Sequence, residues 1–173
     1  MEKEHEKRYL RRMNGTAQKL IEKLRLEPLE MEGGYFRRTY TSDVHLQPQD
    51  RSAGSAIYFL LSPETHSKIH RLPIDEIYHF YLGDPVELLL LEENGKAETI
   101  TLHNDVLAGA NPQYVVSKDI WQGSCLKPGG QFALLGTTMA PAFEYADFKT
   151  PESLESLLAK YPTSFHEQIK KLY

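Results

Sequence analysis

The chain has 173 residues, a length that fits one domain with a self-sufficient hydrophobic core. Hydrophobic residues make up 40% and charged residues 25%, the balance of a soluble globular protein, and a net charge of −4 with no basic stripe argues against a nucleic-acid partner. The longest apolar run, 86–91, is interrupted by Glu87 and falls far short of the roughly 20 residues that cross a bilayer, while a lone cysteine, Cys125, excludes an intrachain disulfide and a thiolate-built zinc site.

Segment 1–14 opens MEKEHEKRYLRR, alternating in charge without an apolar stretch, so it is expected to be a solvated lead-in rather than a secretory signal, and the protein is expected in the cytoplasm. Ala17, Leu20, Ile21 and Leu24 recur at the spacing of one helix face, with Asn14 or Thr16 available as cap, which predicts a helix over 15–26. Pro28 blocks its continuation, and Gly33 and Gly34 allow a sharp turn into YFRRTYTS, a strand rich in aromatic and β-branched residues. From residue 35 to 148 the pattern is all-β: GSAIYFLL, HSKIHR, EIYHFYL, PVELLLLE, AETITL, QYVV, IWQGSCL and QFALLGTT are short apolar or alternating runs parted by turn residues. Asn94-Gly95 predicts a tight hairpin in which both residues take positive φ, and Pro128-Gly129-Gly130 a second turn.

Helices return over 151–172. Leu154, Leu157, Leu158 and Tyr161 share a face after Pro151, and a last helix is predicted from Ser164, with Ser164 and Glu167 forming a capping box. Helix, many strands, then helices describe an α+β protein or a β-barrel with packed helices, in one domain spanning 1–173.

The segment HRLPIDEIYHFYLG, 70–83, concentrates the chemistry. Strand alternation puts His66, Lys68 and His70 on one face, and separates Glu76, Tyr78 and Phe80 from Ile77, His79 and Tyr81. Only one of the two histidines can then meet Glu76, unless a bulge resets the alternation. A buried imidazole beside a carboxylate is held in one tautomer and raised in pKa, which makes a usable general base. Arg37 can clamp an anion, although a strand arginine is also a common solvated edge residue, and Trp121, alternating with Gln122, is expected in the core.

His70, Glu76 and Gly83 keep the spacing of the first motif of the cupin superfamily, with Leu72 in place of its second histidine. SKDIWQ, 117–122, aligns with the second motif and puts Gln122 where that motif has a histidine. The segments LIEKLRLEPLEMEGGYFRRTYTS, SAIYFLL, HRLPIDEIYHFYLGDPVELLLL, VSKDIWQG and APAFEYADF resemble one branch of that superfamily, a domain of unknown function with a germin-like yeast member, over residues 17 to 172. Glu30-Met31 replaces the branch's His-Pro, and Ser117 and Ala142 replace its proline and glycine.

The resemblance implies a double-stranded β-helix, a jelly-roll barrel with one N-terminal and two short C-terminal helices. It also implies a small polar, carbohydrate- or nucleotide-like ligand inside the barrel, and a homodimer. Isomerase-, epimerase- or lyase-like chemistry by His70 and Glu76 is one reading, and a non-catalytic binding or sensing module the other. The expected ligand contacts are Arg37, Tyr58, Tyr78, Gln122 and Glu144. Tyr35, Tyr58, Tyr78 and Tyr145 are the candidate acids, and a divalent metal would draw on His70, Glu76, Gln122 and His79 or His66.

Overall fold

The computed structural model describes residues 15–173, so the lead-in expected at 1–14, with Asn14 as a cap, lies outside the described residues. The chain begins with helix α1 (Gly15–Leu24) and the strands β1 (Glu27–Pro28), β2 (Tyr35–Thr41), β3 (His45–Leu46), β4 (Arg51–Ser52), β5 (Ser55–Leu61) and β6 (Ser67–His70). It continues with β7 (Glu76–Gly83), β8 (Val86–Leu91), β9 (Ala97–Leu102), β10 (Gln113–Val116), β11 (Trp121–Leu126) and β12 (Ala133–Met139), and ends with α2 (Leu154–Lys160) and α3 (His166–Leu172). Among the described residues no helix is long and apolar enough to cross a membrane.

Two antiparallel sheets face each other. One runs β1-β2-β5-β12-β7-β10, the other β6-β11-β8-β9, and β3 with β4 forms a separate hairpin. Alternation along each strand sends one set of side chains between the sheets. Phe59, Leu61, Tyr78, Phe80, Leu88, Leu90, Leu126 and Leu135 meet there in the main core. A fully buried leucine or phenylalanine contributes about 1.5–3 kcal/mol, so this layer holds the sandwich together. The fold is mainly β and has the layout of a jelly roll.

The helices cover the outer faces. Ala17 and Ile21 of α1 pack on Tyr35, Leu60 and Leu134 of the six-stranded sheet. Leu157 of α2 and Ile169 and Leu172 of α3 pack on Ile69, Leu89, Leu91 and Cys125 of the four-stranded one, with Trp121 at the edge of that cluster. The rest of the six-stranded sheet's outer face carries Arg37, Tyr58, His79 and Tyr81, which touch one another.

Local chemistry departs from the sequence pattern at four places. The first helix stops at Leu24 because Arg25 turns to φ 53° and Leu26 N bonds back to Ile21 O, a left-handed termination without glycine. In the Asn94-Gly95 turn only Gly95 takes positive φ; Asn94 uses its side chain instead, accepting the Lys96 N–H at 2.8 Å. Helix α2 starts from a Ser153 cap rather than from Pro151. Ser164 lies within a 3-10 turn (Thr163–Phe165) and makes no capping box, while Glu167 pairs with Lys170. Strands β1, β3 and β4 have two residues each, too few to show any periodicity.

Candidate functional site

Three local features bring ionisable side chains into one hollow. The first is a bulge in β6. Gln122 faces His70 and Ser124 faces Ser67, so two steps on β11 match three on β6. The extra residue breaks the alternation: Ser67 and His70 both turn inward, Ile69 packs outward on the C-terminal helices, and Lys68 is exposed. His66 and Lys68 therefore do not share His70's surroundings; His66 lines a separate surface hollow with Lys127 and Lys171. The second is the unbroken start of β7, where Glu76 and Tyr78 are buried and His79 faces out to Thr138 and Gln113.

The third is the turn before β2. Gly33 N bonds to Leu29 O at 2.6 Å and Leu29 N to Gly34 O at 3.0 Å, which folds 29–34 back on itself. Gly33 has φ +112°, and a Cβ there would lie 2.1 Å from the His66 carbonyl oxygen. Only glycine lets this turn press against β6. Lys68 N then bonds to Glu32 O, and the Ser67 hydroxyl donates to Glu32 Oε1 at 2.5 Å.

The resulting cavity has a volume of about 50 Å³ and opens to solvent at its mouth. Glu32, Ser55, His70, Glu76 and Thr137 supply its polar lining. Leu29, Phe36, Ile57, Leu72, Met139 and Phe148 form apolar walls, and Arg38 and Tyr145, both exposed, stand at the mouth with Phe143.

The protons can be placed. His70 Nδ1 lies 2.8 Å from the Lys68 carbonyl oxygen, which can only accept, so Nδ1 carries the hydrogen and Nε2 keeps its lone pair. The ring stacks on Phe148, with centroids 4.7 Å apart and planes 18° from parallel. Burial lowers the His70 pKa despite the opposing pull of Glu76 and the Lys68 carbonyl. The sequence-based expectation of a raised His70 is thus corrected, because desolvation outweighs the one nearby carboxylate.

Both acids move the other way. Burial raises Glu32 to about 7 against the Ser67 hydrogen bond. Glu76 is raised by burial and then by the charge of Glu32, against His70, Thr137 and Gln122. Gln122 Nε2 donates to Glu76 Oε2 at 2.9 Å, and Tyr78, hydrogen-bonded to Glu76, is pushed well above the ordinary phenol value by burial. At neutral pH the site holds a neutral imidazole next to carboxyls that resist ionisation.

His70, Glu76, Tyr78 and Gln122 are therefore brought together, the last two behind Glu76 rather than on the cavity wall. Arg37, Tyr58 and His79 are brought together elsewhere, on the outer face. The Arg37 guanidinium sits 5.6 Å from the Tyr58 ring centre, and Tyr81 links Tyr58 to His79. Glu144 is exposed at the start of a 3-10 turn (Tyr145–Asp147), its N–H donating to Asp147. Of the candidate acids Tyr35 packs under α1, Tyr58 faces out, and Tyr145 stands at the mouth.

The expected metal set does not assemble: among the described residues no three His, Cys, Asp or Glu side chains are grouped to hold an ion. His79 is on the far face of β7, and Gln122 turns its amide nitrogen, which cannot ligate, toward Glu76.

Sequence reasoning passed over Glu32, Thr137 and Arg38. Glu32 stood in view only as part of Glu-Gly-Gly, because its burial depends on contact with residues 35 positions away. Arg38 adjoins Arg37, and in YFRRTYTS both strand faces carry aromatics, so alternation alone could not say which arginine faces in. Arg51 completes the frame. It donates to the Ala142 carbonyl and pairs with buried Asp147, fastening the segment that brings Tyr145 and Phe148 to the cavity.

The family model described as "Cupin superfamily (DUF985)" matches residues 18–150. A structure of protein SO0799 from Shewanella oneidensis is similar with a TM-score of 0.81 and 36% identity, over 90% of this chain and 96% of that one. A structure titled "Hypothetical protein from Leishmania major" is similar with a TM-score of 0.79 and 28% identity, over 90% and 97%. Protein YML079W of Saccharomyces cerevisiae, described as uncharacterized, is 26% identical over 133 residues, 67% of this chain and 66% of its own length. With a family match over most of its length and a jelly roll enclosing the hollow lined by His70 and Glu76, the chain belongs to the DUF985 family of the cupin superfamily.

Proposed function

We propose that the cavity binds a small polar metabolite and that His70 and Glu76 carry acid–base chemistry on it. The observation that supports this most is the convergence of a lone-pair-bearing imidazole with two hard-to-ionise carboxyls in one partly enclosed, mostly apolar hollow. His70 Nε2 takes a proton from a carbon beside a substrate carbonyl, and the electron pair moves onto the carbonyl oxygen. A carboxyl proton from Glu76 neutralises that oxygen. Return of the proton after the intermediate has turned over in the cavity gives an epimer, and return to the neighbouring carbon an isomer; loss of a leaving group from the intermediate gives a lyase. Tyr78 steadies Glu76 rather than meeting the substrate.

The test is turnover of candidate keto compounds followed by solvent deuterium exchange at the carbon. Wild-type protein should wash deuterium into substrate, and His70→Ala should not, while keeping its fold. Exchange that survives in His70→Ala would end the catalytic reading. Release of an unchanged metabolite from purified protein, without exchange, would instead favour a binding or sensing module. The same reading includes a homodimer, which light scattering on the full chain tests.

A further inference from the structure

Two charge-bearing side chains of the cavity have no part in the chemistry above: Arg38, exposed at the mouth, and Glu32, which lies near Glu76. Three other described arginines are placed away from this cavity. Arg51 is paired with Asp147, Arg71 lies 4.6 Å from the Trp121 ring centre, and Arg37 lies over Tyr58. Arg38 donates Nη2 to the Phe143 carbonyl at 3.2 Å and rests over the Phe143 ring, but among the described residues it has no carboxylate within ion-pair distance. A guanidinium has five N–H donors in a fixed fork, so most of its donors remain for a partner.

Glu32 is the complement. Ser67 engages Oε1, which leaves Oε2 for whatever fills the cavity. Among the described residues Arg38 is the only arginine or lysine lining the cavity, so an anion is drawn to the mouth, where Arg38 stands, rather than to the end that holds the two carboxyls. Phe36, Ile57, Met139 and Phe148 make most of the wall apolar and suit an apolar or planar body, with Ser55 and Thr137 the remaining polar groups beside it.

We propose that the cavity takes a small hydroxy acid with an apolar body. Its carboxylate lies against Arg38 at the mouth, its body along Phe36, Ile57, Met139 and Phe148, and its hydroxyl donates to Glu32 at the end that holds the two carboxyls. This rests on the reading of the cavity as a ligand site and replaces a carbohydrate- or nucleotide-like ligand with an amphipathic one.

Three compounds on one skeleton test it by calorimetry with the full chain: 4-hydroxyphenylacetate, phenylacetate, which lacks the hydroxyl, and 2-(4-hydroxyphenyl)ethanol, which lacks the acid. Wild-type protein should bind the first about tenfold more tightly than either partner, the size of one hydrogen bond. Arg38→Gln, a change at the surface, should erase the advantage of acid over alcohol and keep that of hydroxyl over hydrogen; Glu32→Met, which removes the acceptor, should do the reverse. Arg37→Gln should match wild type. Equal binding of alcohol and acid, an Arg37→Gln defect equal to that of Arg38→Gln, or no binding of any of the three overturns the proposal. Amide chemical shifts tell the two failures apart. An alcohol that binds as well as the acid and perturbs Thr137 and Phe148 leaves the cavity a ligand site but discards the class; perturbation confined to Tyr58 and Tyr81 discards both.

Discussion

The outer face of the six-stranded sheet and the hollow between the two sheets present similar residue types to different surroundings. Outside, Arg37, Tyr58, His79 and Tyr81 stack on one another in partial contact with solvent. Inside, Glu32, His70 and Glu76 sit against apolar walls, with Arg38 set apart at the mouth. Burial lowers both His70 and His79, but only His70 has charged and hydrogen-bonded opponents to that shift. Chemistry-bearing side chains are thus common to both regions. Desolvation and a fixed tautomer are what set the hollow apart.

The widest separation between the two regions should appear in activity. His70→Ala should lower any turnover by about 10²–10⁴-fold, the usual contribution of a positioned base, whereas His79→Ala should stay at the wild-type level. Equal losses would mean that the hollow has no special role.

Next in size is the turn that delivers Glu32. Gly33→Ala adds a Cβ against the His66 carbonyl at positive φ and should cost about 3 kcal/mol or more in denaturant unfolding. Gly136→Ala is its outer-face counterpart. The added Cβ meets the Tyr81 ring, with the hydroxyl 2.4 Å away, but Tyr81 is 44% exposed and can swing aside, so the cost should be about 1 kcal/mol. Similar losses from the two would show that the turn yields as easily as a surface side chain.

The pH dependence sharpens the comparison further. Glu32 is raised from 4.5 to about 7, so its protonated form is the one folding favours. Its stabilising contribution is complete below about pH 4.5 and fades as pH rises through 7, a swing of up to about 3 kcal/mol. Glu32→Gln should therefore raise the melting temperature at pH 8 and leave it unchanged at pH 4. The buried imidazole has the opposite sign: His70 is lowered, so stability falls as pH drops below the ordinary histidine range. His70→Gln should flatten that acid limb. His79→Gln should flatten it less, since burial alone lowers His79 and its side chain is only partly enclosed.

Much of the framework was legible from local pattern. The run AETITL became β9 with the same limits, and QYVV became β10. On β7 simple alternation already separated Glu76 and Tyr78 from His79. Helix caps were less legible, because Ser153 and Ser164 offer the same hydroxyl and only the path of the chain decides that one caps and the other does not.

What the sequence by itself determined is whatever a period of two or of 3.6 can encode: the strands, the helix faces and the side of β7 on which Glu76 lies. The tertiary structure alone decided three things. A bulge on β6 turned His70 inward, a two-glycine turn carried Glu32 to Ser67, and enclosure by Phe148 and its neighbours made desolvation outweigh the pull of Glu76 on the imidazole. The reason is that register and dielectric surroundings are properties of chain segments meeting across long sequence separations, and no local period carries that information.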